Sequence, residues 1–422
     1  MQQYDTYKDS GVKWLGEIPS HWEMRKMKFS FEERSQKGFP NLPLLAATQN
    51  HGVIRKTDYE NRTVEATKSL DTLKLVEVGD FVISLRSFQG GIELCYEKGI
   101  ISPAYTILRP THITAGYFKH LGKSPIFIQL LKSMVTGIRE GQNIDYGKLR
   151  ENLLPIPPLS EQTAIANCLD TATAKIDAAI AQQQKMIDLL NERKQIIINR
   201  AVTKGLNPNA KMKDSGVEWI GEVPEGWDCR RLRFIGEANN GLTYSPLDMV
   251  DEGNGILVLR SSNIKDGKLI FVDNVFVKEV PQKLMVQKDD IIICSRNGSA
   301  SLVGKCAIVE DELQASYGAF MMRFRSKYNS KYVYYLLTAA ISHYKQLFAT
   351  STINQLTLGI FADIKMSITL DEDEQKCIAE KLDLICGKLD TYIGICNTQI
   401  SLLQERKQII INEVVTGKVK VV

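Results

Sequence analysis

The side chains with the most to offer chemically are guanidinium and amide groups in polar loops, not acid–base pairs or metal clusters. Such loops run over 86–91 (Arg-Ser-Phe-Gln-Gly-Gly), 139–143 (Arg-Glu-Gly-Gln-Asn), 260–263 (Arg-Ser-Ser-Asn), 296–299 (Arg-Asn-Gly-Ser) and 351–355 (Ser-Thr-Ile-Asn-Gln). Arg, Asn and Gln offer paired hydrogen-bonding groups that match purine edges, and Ser and Thr suit phosphates. The candidate base readers are Arg86, Gln89, Gln142 and Asn143 in the first half. In the second they are Arg260, Asn263, Arg296, Asn297, Asn354 and Gln355. Ordinary polar turns use the same alphabet. Recurrence at matching places in both halves favours the functional reading.

Motifs for catalysis are missing. There is no Gly-rich nucleotide or methyl-donor loop, no HExxH and no GxSxG. Gly122-Lys123-Ser124 resembles the end of a phosphate loop, but the first glycine would fall on Tyr117, so it reads as a turn. The five histidines (21, 51, 112, 120 and 343) stand apart, and the eight cysteines include no CxxC. Neither structural zinc nor a bound cofactor is expected, and the cysteines read as free thiols of a reducing cytosol. No apolar run is long enough to span a bilayer, and Met1–Asp5 opens no secretory signal. The net charge of +4 is too small to argue nucleic-acid binding by itself. A DNA reader with this balance must gather its cations on one face.

The elements that carry these loops come in duplicate. Residues 8–29 and 213–234 match at 12 of 22 positions, including Trp14/Trp219, Pro19/Pro224 and Trp22/Trp227. Residues 190–203 and 403–416 match at 11 of 14 positions. Between these bookends the halves diverge, apart from an echo of 78–86 in 288–296, a turn and an apolar strand that ends on Arg. The matched tryptophans, set around Gly-Glu-x-Pro, predict a shared structural clasp rather than base stacking. Each half reads as mixed α/β, with strands near 81–85, 100–108, 256–259, 291–294 and 319–324, and helices near 117–135 and 332–348.

Two long helices complete the pattern. Residues 161–203 hold neither Pro nor Gly, and an apolar seam runs through Ile165, Leu169, Ala172, Ile176, Ala179, Gln183, Met186, Leu190 and Ile197. Pro155, Pro157 and Pro158 delimit its start, and Gly205 and Pro208 its end. The second helix spans about 373–416, with Ile378, Leu382, Ile385, Leu389, Tyr392, Cys396, Gln399, Leu403 and Ile410 as its seam. Gly387 and Gly394 interrupt it at about 1 kcal/mol each relative to Ala, and are expected to allow close approach. Gln183 and Gln399 are expected to fix the register of an antiparallel pair.

The sequence KDSGVxWxGExPxxW, the PIPPLSEQ run at 155–162 and the ERKQIIIN repeat together resemble the specificity subunits of type I restriction-modification enzymes. The resemblance covers the whole chain. It implies an α+β fold with a pseudo-two-fold repeat: recognition domains at 1–158 and 206–371, and spacer helices at 159–205 and 372–422. It implies a cytoplasmic, non-catalytic subunit that binds a bipartite, asymmetric double-stranded DNA target, one half-site per domain. The spacer helices set the half-site distance, about one DNA turn of roughly 34 Å. Partners are methyltransferase subunits and restriction/translocase subunits. S-adenosylmethionine, ATP and Mg belong to those partners in an adenine-specific methyltransferase and ATP-dependent endonuclease.

One departure stands out. The second half has Ile368-Thr369-Leu370-Asp371 where the first has Pro155-Ile156-Pro157-Pro158. Asp371, Glu372 and Asp373 suit a helix N-terminus, so the second helix is expected to start normally. Two rival readings remain: a self-contained nuclease would need an acidic cluster in one half, and a protein adaptor would need aromatic and Met anchors on the loops.

Overall fold

The computed structural model describes residues 2–49, 51–58, 70–136, 143–344 and 354–421. The chain folds as two compact α+β units. One comprises residues 1–184 and 397–422, the other residues 185–396. Each therefore holds one globular half, the start of one long helix and the end of the other.

Each unit has its own four-stranded sheet of the same strand order. In the first, β1 (Phe31–Arg34), β2 (Phe81–Ile83), β3 (Glu93–Leu94) and β4 (Thr106–Pro110) pair antiparallel in the order β1-β4-β2-β3. In the second, β5 (Gly236–Asn240), β6 (Ile291–Cys294), β7 (Cys306–Ile308) and β8 (Met321–Ser326) pair in the order β5-β8-β6-β7. Side chains alternate across a strand. Ile291 and Ile293 thus enter one core, and Ile292 and Cys294 enter another on the opposite face. Phe81 and Ile83 are divided from Val82 in the same way. Burial on both faces explains why both strands read as unbroken apolar runs.

A buried carboxylate stands just before the equivalent strands β2 and β6. Asp80 accepts the Glu77 N–H and the Arg34 guanidinium. Asp290 accepts the Gln287 N–H and the Arg325 guanidinium. The arginine comes from β1 in one unit and β8 in the other, so the site is kept although its partner moves.

Several expected boundaries shift. The 100–108 run is two strands, Gly99–Ile101 and Thr106–Pro110. The 117–135 stretch is two helices, Ala115–Leu121 and Pro125–Ser133. They are divided at Gly122-Lys123-Ser124 because Ser124 caps the second one and Pro125 starts it. Gly91 lies against this turn with φ +89°, and a Cβ there would sit 2.3 Å from the Gly122 carbonyl oxygen. The strand expected at 319–324 spans Met321–Ser326, and the helix expected near 332–348 covers Ser330–Tyr344. Positions 345–348 lie outside the described residues.

The long helices span Leu159–Lys204 and Glu372–Val415. Within each unit their segments run antiparallel. In the first unit Ile165 and Leu169 share a core with Ile411, Val414 and Val415, and Lys407 reaches Asp177 at 2.7 Å. In the second, Ile198, Ala201 and Val202 share a core with Ile378, Ala379 and Leu382, and Lys194 reaches Asp390 at 2.7 Å. Lys194 and Lys407 occupy matching repeat positions, as do Asp177 and Asp390, so one ion pair is built twice.

The seam differs from its expected line in mid-helix. Ile187 is buried where Met186 was expected, and Ile393 and Ile400 are half-buried where Tyr392 and Gln399 were expected. Gln399 is exposed and so does not set register from inside the seam. The glycines do not serve close approach either: a Cβ on Gly387 or Gly394 would meet nothing within 4 Å.

Candidate nucleic-acid interface

The start of each long helix fixes how its globular half is held. Trp22 is fully buried and its indole N–H donates to Glu161; Trp227 donates in the same way to Glu374. The next residue of each pair closes the clasp. Gln162 accepts the Thr114 N–H at 2.8 Å and donates to the Pro157 carbonyl at 2.9 Å. Gln375 accepts the Asn329 N–H at 3.0 Å and donates to the Thr369 carbonyl at 2.9 Å. Loss of the prolines from the second turn leaves these bonds in place, because Asp371 caps the helix through the N–H groups of Asp373 and Glu374. Tyr117 and Tyr332 are both buried with their hydroxyls bonded to these turns.

The polar edge of the second unit forms where β6 ends. Ser295 is buried, and Arg296–Asn297 then pairs with Asn354–Gln355, Arg296 opposite Gln355 and Asn297 opposite Asn354. Four candidate readers, distant in sequence, thus lie on one short ribbon. Leu356 is buried and donates its N–H to the Ser295 carbonyl, which anchors the ribbon. The Arg296 guanidinium lies 5.3 Å over the exposed Phe320 ring. That contact holds a planar donor at the surface. The Asn354 amide donates to the Gly298 carbonyl, and the Asn297 amide donates to Ser261, which ties the 260–263 loop to the ribbon.

Within that loop the two candidates differ. Asn263 is fully buried: its oxygen accepts the Arg260 N–H, and its amide donates to Ile270, Val272 and Asn274. It therefore supports the loop and presents nothing to a groove. Arg260 is half-buried and its guanidinium is bound back to the Asp273 carbonyl.

The first unit builds a different edge. Arg86 and Gln89 are exposed on and beside the short helix Ser87–Gly90, which packs on the Pro125–Ser133 helix. The Gln89 side chain meets the Gln49 amide at 3.5 Å, and Lys123 donates to the Gln49 carbonyl and to both Glu93 oxygens. Burial pushes the Glu93 carboxyl up to about 7, against the pull of the Lys123 ammonium. Asn143 is exposed on a ribbon in which it pairs with Thr136. Gln142 lies outside the described residues. No hydrogen bond joins Asn143 directly to Arg86 or Gln89 among the described residues. Sequence reasoning missed Phe320, Ser261 as a link, Gln49 and Lys123. Ser261 stands inside a quoted loop and Lys123 in the Gly122-Lys123-Ser124 turn, whereas Phe320 and Gln49 gave no sequence signal.

Among the described residues, no group of three His, Cys, Asp or Glu side chains is placed to hold a metal ion. No helix among them is long and apolar enough to cross a membrane.

Known proteins share this plan. Residues 224–395 match the family model described as type I restriction modification DNA specificity domain. The putative type I restriction enzyme MjaX specificity subunit of Methanocaldococcus jannaschii is 25% identical, over 98% of this chain and 98% of its own length. The MjaVIII specificity subunit of the same organism is also 25% identical, over 70% of this chain and 69% of its own. A solved chain, described under "Structural basis underlying complex assembly and conformational transition of the type I R-M system", has the same fold. Its TM-score is 0.67 at 15% identity, over 94% of this chain and 98% of that one.

Proposed function

We propose that this chain is a specificity subunit of a type I restriction-modification enzyme and that it reads a bipartite, asymmetric double-stranded DNA target, one half-site per unit. One observation carries the reading. The units keep the same sheet order and the same Trp–Glu–Gln clasp, while their polar edges differ in both backbone and side chains. Equal scaffolds with unequal edges suit one operation performed on two different sequences.

In the second unit Arg296, Asn297, Asn354 and Gln355 supply the base-reading groups, with Arg260 beside them. In the first, Arg86, Gln89 and Asn143 do so, with Gln142 next in the chain. Recognition falls to 1–158 and 206–371, and the helices of 159–205 and 372–422 set the half-site spacing. The same helices dock methyltransferase subunits, and restriction/translocase subunits join that core. Leu189 and Leu402, and Ile196 and Ile409, are exposed at matching repeat positions on the helices, which supports docking of one partner twice. The methyl donor, ATP and Mg act in those partners, which make the complex an adenine methyltransferase and ATP-dependent endonuclease. This chain works non-catalytically, in the cytoplasm where that DNA lies.

Co-expression with the methyltransferase subunit and genome-wide mapping of methylated bases tests the proposal. A single split motif, methylated only when this chain is present, is the expected result. Exchange of 213–371 for the matching segment of a relative changes one half of the motif and leaves the other. Methylation at unsplit or unrelated sites, or none with a partner shown to be active, overturns the reading.

A further inference from the structure

The ribbon of Arg296–Asn297 with Asn354–Gln355 has two faces. Residues directly opposite in an antiparallel pair share a face, and neighbours along a strand lie on opposite faces. Arg296 and Gln355 therefore share one face, and Asn297 and Asn354 the other. The asparagine face is bonded to the protein. The Asn297 amide donates to Ser261, its oxygen accepts the Ser299 N–H, and the Asn354 amide donates to the Gly298 carbonyl. On the other face Gln355 is exposed and Arg296 half-buried. Neither of these two side chains makes a hydrogen bond or ion pair among the described residues.

That freedom sets Arg296 apart. Of the seven arginines at 230–325, the other six are held by a carboxylate or a backbone carbonyl. Arg296 has a ring instead: its guanidinium lies 5.3 Å from the centre of Phe320, which is 59% exposed. The Phe320 carbonyl accepts the N–H groups of Ser295 at 2.9 Å and Arg296 at 3.1 Å, and the turn behind it is closed by the Met321 N–H on the Gly318 carbonyl at 2.8 Å. Ring and guanidinium are thus fixed to the same backbone. A ring over the guanidinium leaves the donors along its edge open. Edge-on, paired donation matches O6 and N7 of guanine, and the amide of Gln355 matches N6 and N7 of adenine. A phosphate takes an arginine in many orientations and needs no ring to aim it. Opposite residues have Cβ atoms about 5 Å apart. Base pairs stack at about 3.4 Å, so the two side chains reach base pairs no more than two steps apart.

We propose that Arg296 and Gln355 act as one reading pair in the major groove. Arg296 selects a guanine, Gln355 selects an adenine within two base-pair steps of it, and Phe320 is the residue that positions the guanidinium. This rests on the proposed function and names what the half-site of the second unit contains: a G·C pair and an A·T pair side by side or one pair apart.

The test co-expresses the full chain with the methyltransferase subunit and maps methylated bases for wild type, Arg296→Ala, Gln355→Ala, Phe320→Ala and Phe320→Tyr. Discrimination is the ratio of methylation at the motif to methylation at its one-base variants. The half-site assigned to the second unit by exchange of 213–371 should hold the G·C and A·T pairs. Arg296→Ala should lower discrimination about tenfold or more at the G·C pair alone, and Gln355→Ala likewise at the A·T pair alone. Phe320→Ala should lower it about threefold at the G·C pair and leave the A·T pair unchanged, and Phe320→Tyr, which keeps a ring, should restore it. Melting should match wild type in all four, since none of these side chains is bonded into the fold. Relaxed positions of other base identity, or three or more steps apart, overturn the inference and leave the proposed function standing. So does equal weakening at every variant of the motif, which would make the pair a phosphate contact. Full discrimination in Phe320→Ala overturns the positioning role. A wild-type complex that methylates no split motif removes the proposed function and this inference together.

Discussion

At the scale of single residues, chemical type and burial pull apart. Asn263 and Arg296 are equally good readers by type, but Asn263 is saturated inside its loop and Arg296 is held at the surface by Phe320. Two variants should therefore behave oppositely. Arg296→Ala should keep the stability of the chain, cost about 1–3 kcal/mol of binding and relax one base position. Asn263→Ala should leave the Arg260 N–H without its acceptor and lower stability by about 1–3 kcal/mol. Denaturant midpoints and binding to duplexes substituted one base at a time separate the two. Uniform weakening across all duplexes would make Arg296 a phosphate contact. A stable Asn263→Ala protein with a relaxed motif would make Asn263 a reader. The sequence indicated the alphabet of the site but not this division, because a loop asparagine looks the same whether its amide faces solvent or its own backbone.

At the scale of elements, what was legible follows from what repeats locally. The strands at 256–259 and 291–294 and both long helices show in the sequence because burial of a face dictates a period. The mid-helix seam was read one residue out, since a near-heptad line drawn through Met186 and Gln399 passes beside the truly buried Ile187 and half-buried Ile400. The ribbon of Arg296–Asn297 with Asn354–Gln355 was not legible, because nothing in either dipeptide specifies a partner so far along the chain. The clasp was half legible: the matched tryptophans and the Glu161-Gln162 end of the PIPPLSEQ run were visible, but not that the glutamines bridge turn and helix cap. Those bridges make a sharp prediction. Gln162→Ala leaves the Thr114 N–H and the Pro157 carbonyl without their partner, at about 1–3 kcal/mol. Gln375→Ala should cost a similar amount through Asn329 and Thr369. Chemical denaturation followed by tryptophan fluorescence reads both, since Trp22 and Trp227 lie in the same clasps. A clearly smaller loss for Gln375→Ala would show that the proline-free turn relies on Asp371 instead.

At the scale of the whole molecule, the boundary between the compact units crosses the long helices at 184/185 and 396/397. The paired contacts that hold helix to helix fall inside the units, Asp177 with Lys407 in one and Lys194 with Asp390 in the other. The helices can therefore be lengthened at the boundary without disturbing either reading edge. Seven residues of the seam pattern, inserted at both places, add two turns and about 10 Å of helix. If the helices set the spacing of the half-sites, the methylated motif should keep both half-site sequences and lengthen its spacer by about three base pairs, at 3.4 Å each. Insertion into one helix alone puts the antiparallel seam out of step and should lower stability instead. Mapping of methylated bases with each insertion variant reads the result. An unchanged spacer in a folded, active double insertion would mean that the distance between half-sites is set elsewhere, by the partner subunits or by bending of the DNA. Altered half-site bases would mean that the edges of the two units are not independent of the helices that join them.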